Sequence, residues 1–217
     1  MRLRILPAVA GLIAGLGLSV PAVAQTRFVS QPGEGSVKID GTSTDHDWEM
    51  ESKLIGGKME FGQGVKLDPT QTTIPGLSGD TVPVKVNVII PVRSEHSKAA
   101  HLPEVMDHLM EQTLKDDQFP RIEYKLMEMK FKGPHEAGKP FNFDATGDLS
   151  IAGVTNKVSF PVAIEVPEAG KLKVNATVPL KMTDFKIDPP APKIGLGLMK
   201  CGDDIKIIID WTLLERK

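Results

Sequence analysis

Cysteine is almost absent from this chain. Cys201 is the single one in 217 residues, so no internal disulfide can form, and the fold must rest on a core of its own. Long runs of one charge sign are missing too. The formal net charge is −2, and no basic patch stands out of the kind that phosphate backbones require, which argues against a nucleic-acid partner. No strongly apolar stretch reaches the roughly 20 residues that a membrane span needs. Nucleophile and nucleotide motifs are lacking as well. Gly76-Leu77-Ser78-Gly79 has Asp80 where a nucleophile elbow would have its last glycine. Gly62-Gln63-Gly64 and Gly195-Leu196-Gly197 have no third glycine and no strand–helix context. There is no Walker loop, and no cofactor is expected. The sequon Asn175-Ala176-Thr177 falls inside a predicted strand.

What is present begins with an address. Arg2 and Arg4 precede an apolar, glycine-rich run from Ile5 to Val20, and Ala22-Val23-Ala24 has the small-x-small form of a cleavage site. This is the layout of a cleaved secretory signal over residues 1–24. It predicts an exported protein, periplasmic or extracellular, with no transmembrane anchor after cleavage. The segment 25–36 is polar and contains glycine, and it reads as a flexible arm. Residues 37–217 read as one domain without a visible linker. Pro189-Pro190-Ala191-Pro192 reads as a stiff loop before a last hairpin.

Period-two alternation dominates that domain. His46, Trp48 and Met50 alternate with acidic residues. Val84, Val86, Val88, Ile90 and Val92 occupy every second position. Ile122, Tyr124 and Leu126 alternate until the phase slips at Met127 and resumes with Met129 and Phe131, as a bulge requires. Phe141 to Ile151, a turn at Ala152-Gly153, and Val158 to Val166 form a hairpin pattern. Leu172 to Leu180 and Ile205 to Leu213 supply two more strands. One segment departs from this. Leu102, Val105, Met106, Leu109, Met110 and Thr113 recur at helical spacing, and Pro103 suits a first turn, so 103–116 is predicted as one amphipathic helix packed on the sheet. The class is all-β and antiparallel, with about eight strands joined by short turns. Such strands close into an up-and-down barrel or stack as a sandwich, and periodicity does not separate the two.

Several segments carry a family resemblance. FDATGDLSIAGVTNKVSFPV (143–162) resembles the central Gly-x-Leu-x-Ile-x-Gly-Val-Thr signature of the YceI-like family. VKIDGTSTDHDW (37–48) resembles that family's opening strands, with His-Asp-Trp where its commonest version has a His-Ser pair. MDHLM (106–110) with FPRIEY (119–124), and MTDFKI (182–187) with GDDIK (202–206), resemble its helix and C-terminal end. The resemblance implies a lipocalin-like barrel with one helix, an exported protein, and an elongated apolar cavity for an isoprenoid or other lipid-like chain. Burial of such a chain gains about 25 cal/mol per Å2 of apolar surface. Inward candidates for that cavity are Trp48, Met50, Val86, Val88, Ile90, Tyr124, Leu126, Phe143, Ile164, Val174, Val178 and Trp211. The same residues serve equally to fill a solid core.

Three functions compete at this level. The first is a non-catalytic carrier or buffer for an isoprenoid, quinone or fatty chain. The second is a structural or interaction domain of the cell envelope with a filled barrel. The third is a metal-dependent hydrolase using His46, His101 or His108. The last is disfavoured because His101, Glu104 and His108 are spaced i, i+3, i+7, nearly two helical turns end to end. His96 and His135 fall in loops without pattern. Cys201 reads as a small apolar filler near a turn. No oligomeric state follows from these patterns; a dimer is compatible with all of them.

Overall fold

The computed structural model describes residues 25–191 and 199–216, so the expected secretory signal over 1–24 and most of the proline-rich loop's continuation lie outside the described residues. The described chain forms β1 (Arg27–Ser43), β2 (Trp48–Ser52), β3 (Gly56–Phe61), β4 (Val84–Pro91), β5 (His96–Ser97), helix α1 (Pro103–Leu114), β6 (Arg121–Phe131), β7 (Phe141–Ile151), β8 (Val154–Glu168), β9 (Lys171–Lys181) and β10 (Cys201–Arg216). Every strand pairing is antiparallel, and β10 pairs with both β9 and β1, which closes the sheet on itself. Two staves of the barrel are each broken in two. The first half of β1 pairs with β3 and its second half with β2, while β5 extends β4 and pairs with β2. The result is an eight-stave barrel, which leaves no long edge free to recruit another chain. That decides for the barrel over the sandwich.

Alternation explains the interior. Val86, Val88 and Ile90 of β4, Phe141, Phe143, Ala145, Leu149 and Ile151 of β7, and Val162 and Ile164 of β8 are all buried. Met127 is the extra residue of a bulge in β6. Leu126 opposes Gly147 and Glu128 opposes Thr146, so Met127 turns outward and Met129 returns to the core. The β7–β8 hairpin turns on Ala152 (φ 48°) and Gly153 (φ 80°), two consecutive left-handed residues whose twist suits antiparallel neighbours.

The expected flexible arm is corrected. Residues 27–36 are the first half of β1, in register with β10 from Arg27↔Arg216 to Ser30↔Leu213 and again from Gly35↔Trp211. Phe28 is buried there, edge-on to Phe61 with ring centres 6.0 Å apart. The segment looked loose because its bulge, around Gly33 (φ 77°), interrupts the alternation.

The two ends of the barrel differ. At the lower end the loop 62–83 folds across the opening and buries Val65, Leu67, Ile74 and Val82. His135, patternless in sequence, ties this floor together. Its Nδ1 lies 2.8 Å from the Gln71 carbonyl oxygen, its Nε2 lies 2.7 Å from that of Lys139, and its ring stacks on Phe141 at 3.8 Å. Among the described residues the upper end has no such plug. Helix α1 and a short 3-10 turn, Met182–Phe185, lie over the opening instead.

Candidate ligand-binding cleft

Between α1 and the upper rim lies a narrow apolar cavity of about 70 Å3. The helix contributes Met106, Leu109, Met110, Thr113 and Leu114. The strands contribute Ile39, Trp48, Met50, Ile122, Ile151, Cys201, Ile205 and Ile207, and the connection into β10 adds Met182, Phe185, Ile187 and Pro190. The cavity meets a wide cleft of about 1210 Å3, lined by apolar and charged side chains together, with which it shares Trp48, Met106, Cys201 and Ile205. The rim of that cleft mixes charges of both signs: Asp40, Asp47, Asp184 and Asp204 face Lys98, Lys181 and Lys206, and His46 and His101 also line it.

Trp48 stands at the junction, and a glycine sets its position. Gly41 pairs with Trp48 across β1 and β2. A Cβ at Gly41 would come within 2.1 Å of the indole Cζ2, so the ring lies flat on a backbone position that only glycine leaves open. The indole Nε1 donates to the Thr42 carbonyl oxygen at 3.0 Å. Gly41→Ala is therefore expected to lift the indole off the strand and cost roughly 1 kcal/mol through the lost hydrogen bond. Denaturant unfolding and a red-shifted tryptophan emission check this; unchanged emission would show that the strand yields instead.

The structure brings two of the candidate lining residues, Trp48 and Met50, to this cavity. Val86, Val88, Ile90, Phe143, Ile164, Val174, Val178 and Trp211 face inward but are buried in the packed core, and Tyr124 and Leu126 pack against that core half-buried. Alternation reports which face a side chain takes and not its height along the barrel. Trp48 and Met50 border the cavity because they stand at the upper end of the barrel. The helix's apolar stripe was legible, but its use as a cavity roof was not. Cys201 begins β10 half-buried, and burial raises its thiol pKa, which suits a cavity wall and not a nucleophile.

The histidines are dispersed. His46 Nδ1 lies 3.1 Å from its neighbour Asp45, His96 Nδ1 lies 2.9 Å from Asp107 of α1, and His108 lies beside Glu111 and Gln112. Among the described residues no cluster of three His, Cys, Asp or Glu side chains converges to hold a metal. Next to the cleft, residues 92–97 form a collar linking β4 to α1. Within it Glu95 is 2 % exposed, and neither carboxylate oxygen has a hydrogen-bond partner. Burial, helped by the Glu51 carboxylate, pushes its pKa up to about 8. Glu51 has the opposite fate. Hydrogen bonds from Lys53 and Lys98 hold its pKa down at about 2.

Residues 37–213 match the YceI-like domain model. The chain belongs to the YceI-like family. Solved structures with this fold include BcnA of Burkholderia cenocepacia (TM-score 0.58, 14 % identity, 84 % of this chain and 98 % of that one). Another is a polyisoprenoid binding domain from Saccharophagus degradans implicated in plant cell wall breakdown (TM-score 0.59, 9 % identity, 87 % and 98 %). A third is the Campylobacter jejuni YceI protein (TM-score 0.50, 19 % identity, 77 % and 84 %). At these identities the likeness is one of fold. A comparison with curated protein sequences found no match. No described helix of this YceI-like chain is long and apolar enough to cross a membrane.

Proposed function

We propose that this YceI-like protein is an exported, non-catalytic binding protein that holds an isoprenoid or other lipid-like chain by its apolar end. The observation that carries this is the apolar cavity under α1, whose wall is almost wholly hydrocarbon and thioether and whose mouth opens into a wider cleft with charges of both signs at its rim. That combination suits an amphiphile with a buried tail and a wet head. The polyisoprenoid binding described for the Saccharophagus domain supports the reading, and the leader supports export. Carriage or buffering of such a chain through an aqueous compartment is the role that follows.

A second reading has its own observation. Phe141, Phe143, Ile164 and Leu213 are buried to 1 % exposure or less and fill the barrel's middle, as expected of an envelope interaction domain that takes no ligand. Native mass spectrometry of the mature protein from its own envelope, with organic extraction of what co-purifies, separates the two. A stoichiometric apolar adduct in the wild type that is lost in Met106→Glu, with the fold retained by circular dichroism, supports the binding role. Met106 is only half-buried, so the barrel tolerates the change. A clean apo mass with no uptake of offered isoprenoid or fatty chains overturns that role in favour of the filled barrel.

A further inference from the structure

A cavity of about 70 Å3 is smaller than the roughly 150 Å3 that takes one benzene ring. No prenyl or acyl chain enters it as it stands, so under the binding reading one wall must move. The barrel staves are held by strand-to-strand ladders, whereas α1 is not. Leu114, at its C-terminal end, is the one buried residue of the helix. Leu102 and Val105 at the other end are 57 % and 45 % exposed.

The two ends are held differently. The C-terminal end is anchored. Leu114 enters the core, and Arg93 of the collar bonds Asp116 at 2.5 Å and Asp117 at 3.2 Å. Lys115 follows in the left-handed region (φ 55°) with its N–H on the Gln112 and Glu111 carbonyls. The N-terminal end starts at Leu102, also left-handed (φ 54°) and without a side-chain cap. A non-glycine residue there carries strain of about 1–2 kcal/mol. Among the described residues it is the Asp107 side chain that ties this half of the helix to the barrel. Asp107 accepts the Ser97 backbone N–H at 2.6 Å and the His96 Nδ1–H at 2.9 Å. The cleft is lined on this side by residues 97–102 and Met106, so the weakly held end of the helix borders the mouth.

We infer that α1 is a lid, hinged at Lys115 and latched by Asp107 on β5, which swings from the rim to admit an apolar chain between Met106, Leu109 and Met110 and the barrel wall. The inference rests on the apolar-binding reading. The movement uncovers Met106, Leu109 and Met110 and leaves the strand-to-strand hydrogen bonds of the barrel intact, as expected of the least stable unit in a fold. Asp107→Ala removes the latch. Asp107→Asn keeps an oxygen for the Ser97 N–H and loses the charge, so it falls between the variant and the wild type.

The test combines hydrogen exchange with uptake of the apolar dye 1-N-phenylnaphthylamine by the mature protein. In the wild type, amides of 105–114 are expected to exchange at least about tenfold faster than those of β7, because sub-global opening precedes global unfolding. Asp107→Ala accelerates them roughly tenfold again, and dye uptake with them, while β7 is unchanged, as loss of two bonds to one carboxylate predicts. Helix amides as protected as β7 in the wild type overturn the lid. Equal acceleration of α1 and β7 in either variant also overturns it. Independent opening of α1 with no dye uptake supports the hinge and overturns the binding reading beneath it.

Discussion

Glu95→Gln is expected to stabilise the protein by about 3 kcal/mol at pH 7 and by almost nothing at pH 4. The carboxyl is 2 % exposed, has no hydrogen-bond partner, and titrates near 8 instead of 4.5. An acid whose folded pKa is raised binds its proton more tightly when folded, so stability falls as pH rises from about 4.5 and levels off above about 8. Glutamine resembles the protonated acid in shape and has no proton to lose, so it removes this slope. Glu51 works in the other window. Its pKa is lowered to about 2, so its ion pairs with Lys53 and Lys98 contribute above pH 4.5 and are lost as pH falls toward 2. Together the two acids place the wild-type optimum near pH 4.5, and the variant's plateau extends upward from there. Urea unfolding at pH 4, 7 and 8.5 checks this. Parallel pH profiles for wild type and variant would mean that Glu95 finds a partner or water that relieves its burial.

The second large effect separates core from cleft. Phe143→Ala is expected to cost roughly 3–5 kcal/mol, the range for deleting a buried phenyl ring from a packed interior. Phe143 is 0 % exposed and lies within 5.7 Å, centre to centre, of Phe131. The loss lowers the melting temperature sharply, while any apolar ligand still meets an intact cavity wall. Trp48→Ala has the reverse profile. The indole is half-buried at the cavity mouth, so its truncation costs about 1–2 kcal/mol of stability, and uptake of an apolar dye falls instead. Thermal unfolding and dye titration on both variants read the contrast. If Phe143→Ala abolished uptake in a protein that remained folded, the binding site would extend down into the barrel.

Much of the architecture was open to a reader of the sequence because a strand writes its two faces at alternate positions. Val84 to Val92 announced β4, and the phase slip at Met127 announced the bulge that the ladder contains. The helix was visible through Met106, Leu109 and Met110. Two things were hidden in the same signal. The stretch 25–36 looked loose although residues 27–36 form the start of β1, since a bulge breaks alternation without breaking pairing. His135 looked idle although it joins the two loops of the barrel floor, because its partners are carbonyl oxygens, which every residue has.

The cleft shows where local pattern ends. Alternation and the family signature were enough for an antiparallel barrel with an apolar interior and one amphipathic helix, since each depends on residues a few positions apart. Which inward side chains meet packed neighbours and which meet open space depends on how far up the barrel each stave carries them, and on what lies across its end. Val88 and Met50 are both buried apolar residues on inward faces, yet only Met50 borders the cavity, because β2 reaches the rim beneath α1 while Val88 sits among the staves below. That difference comes from register between strands and from the seating of the helix, contacts between residues far apart in the chain, and so it existed only once the chain had closed on itself.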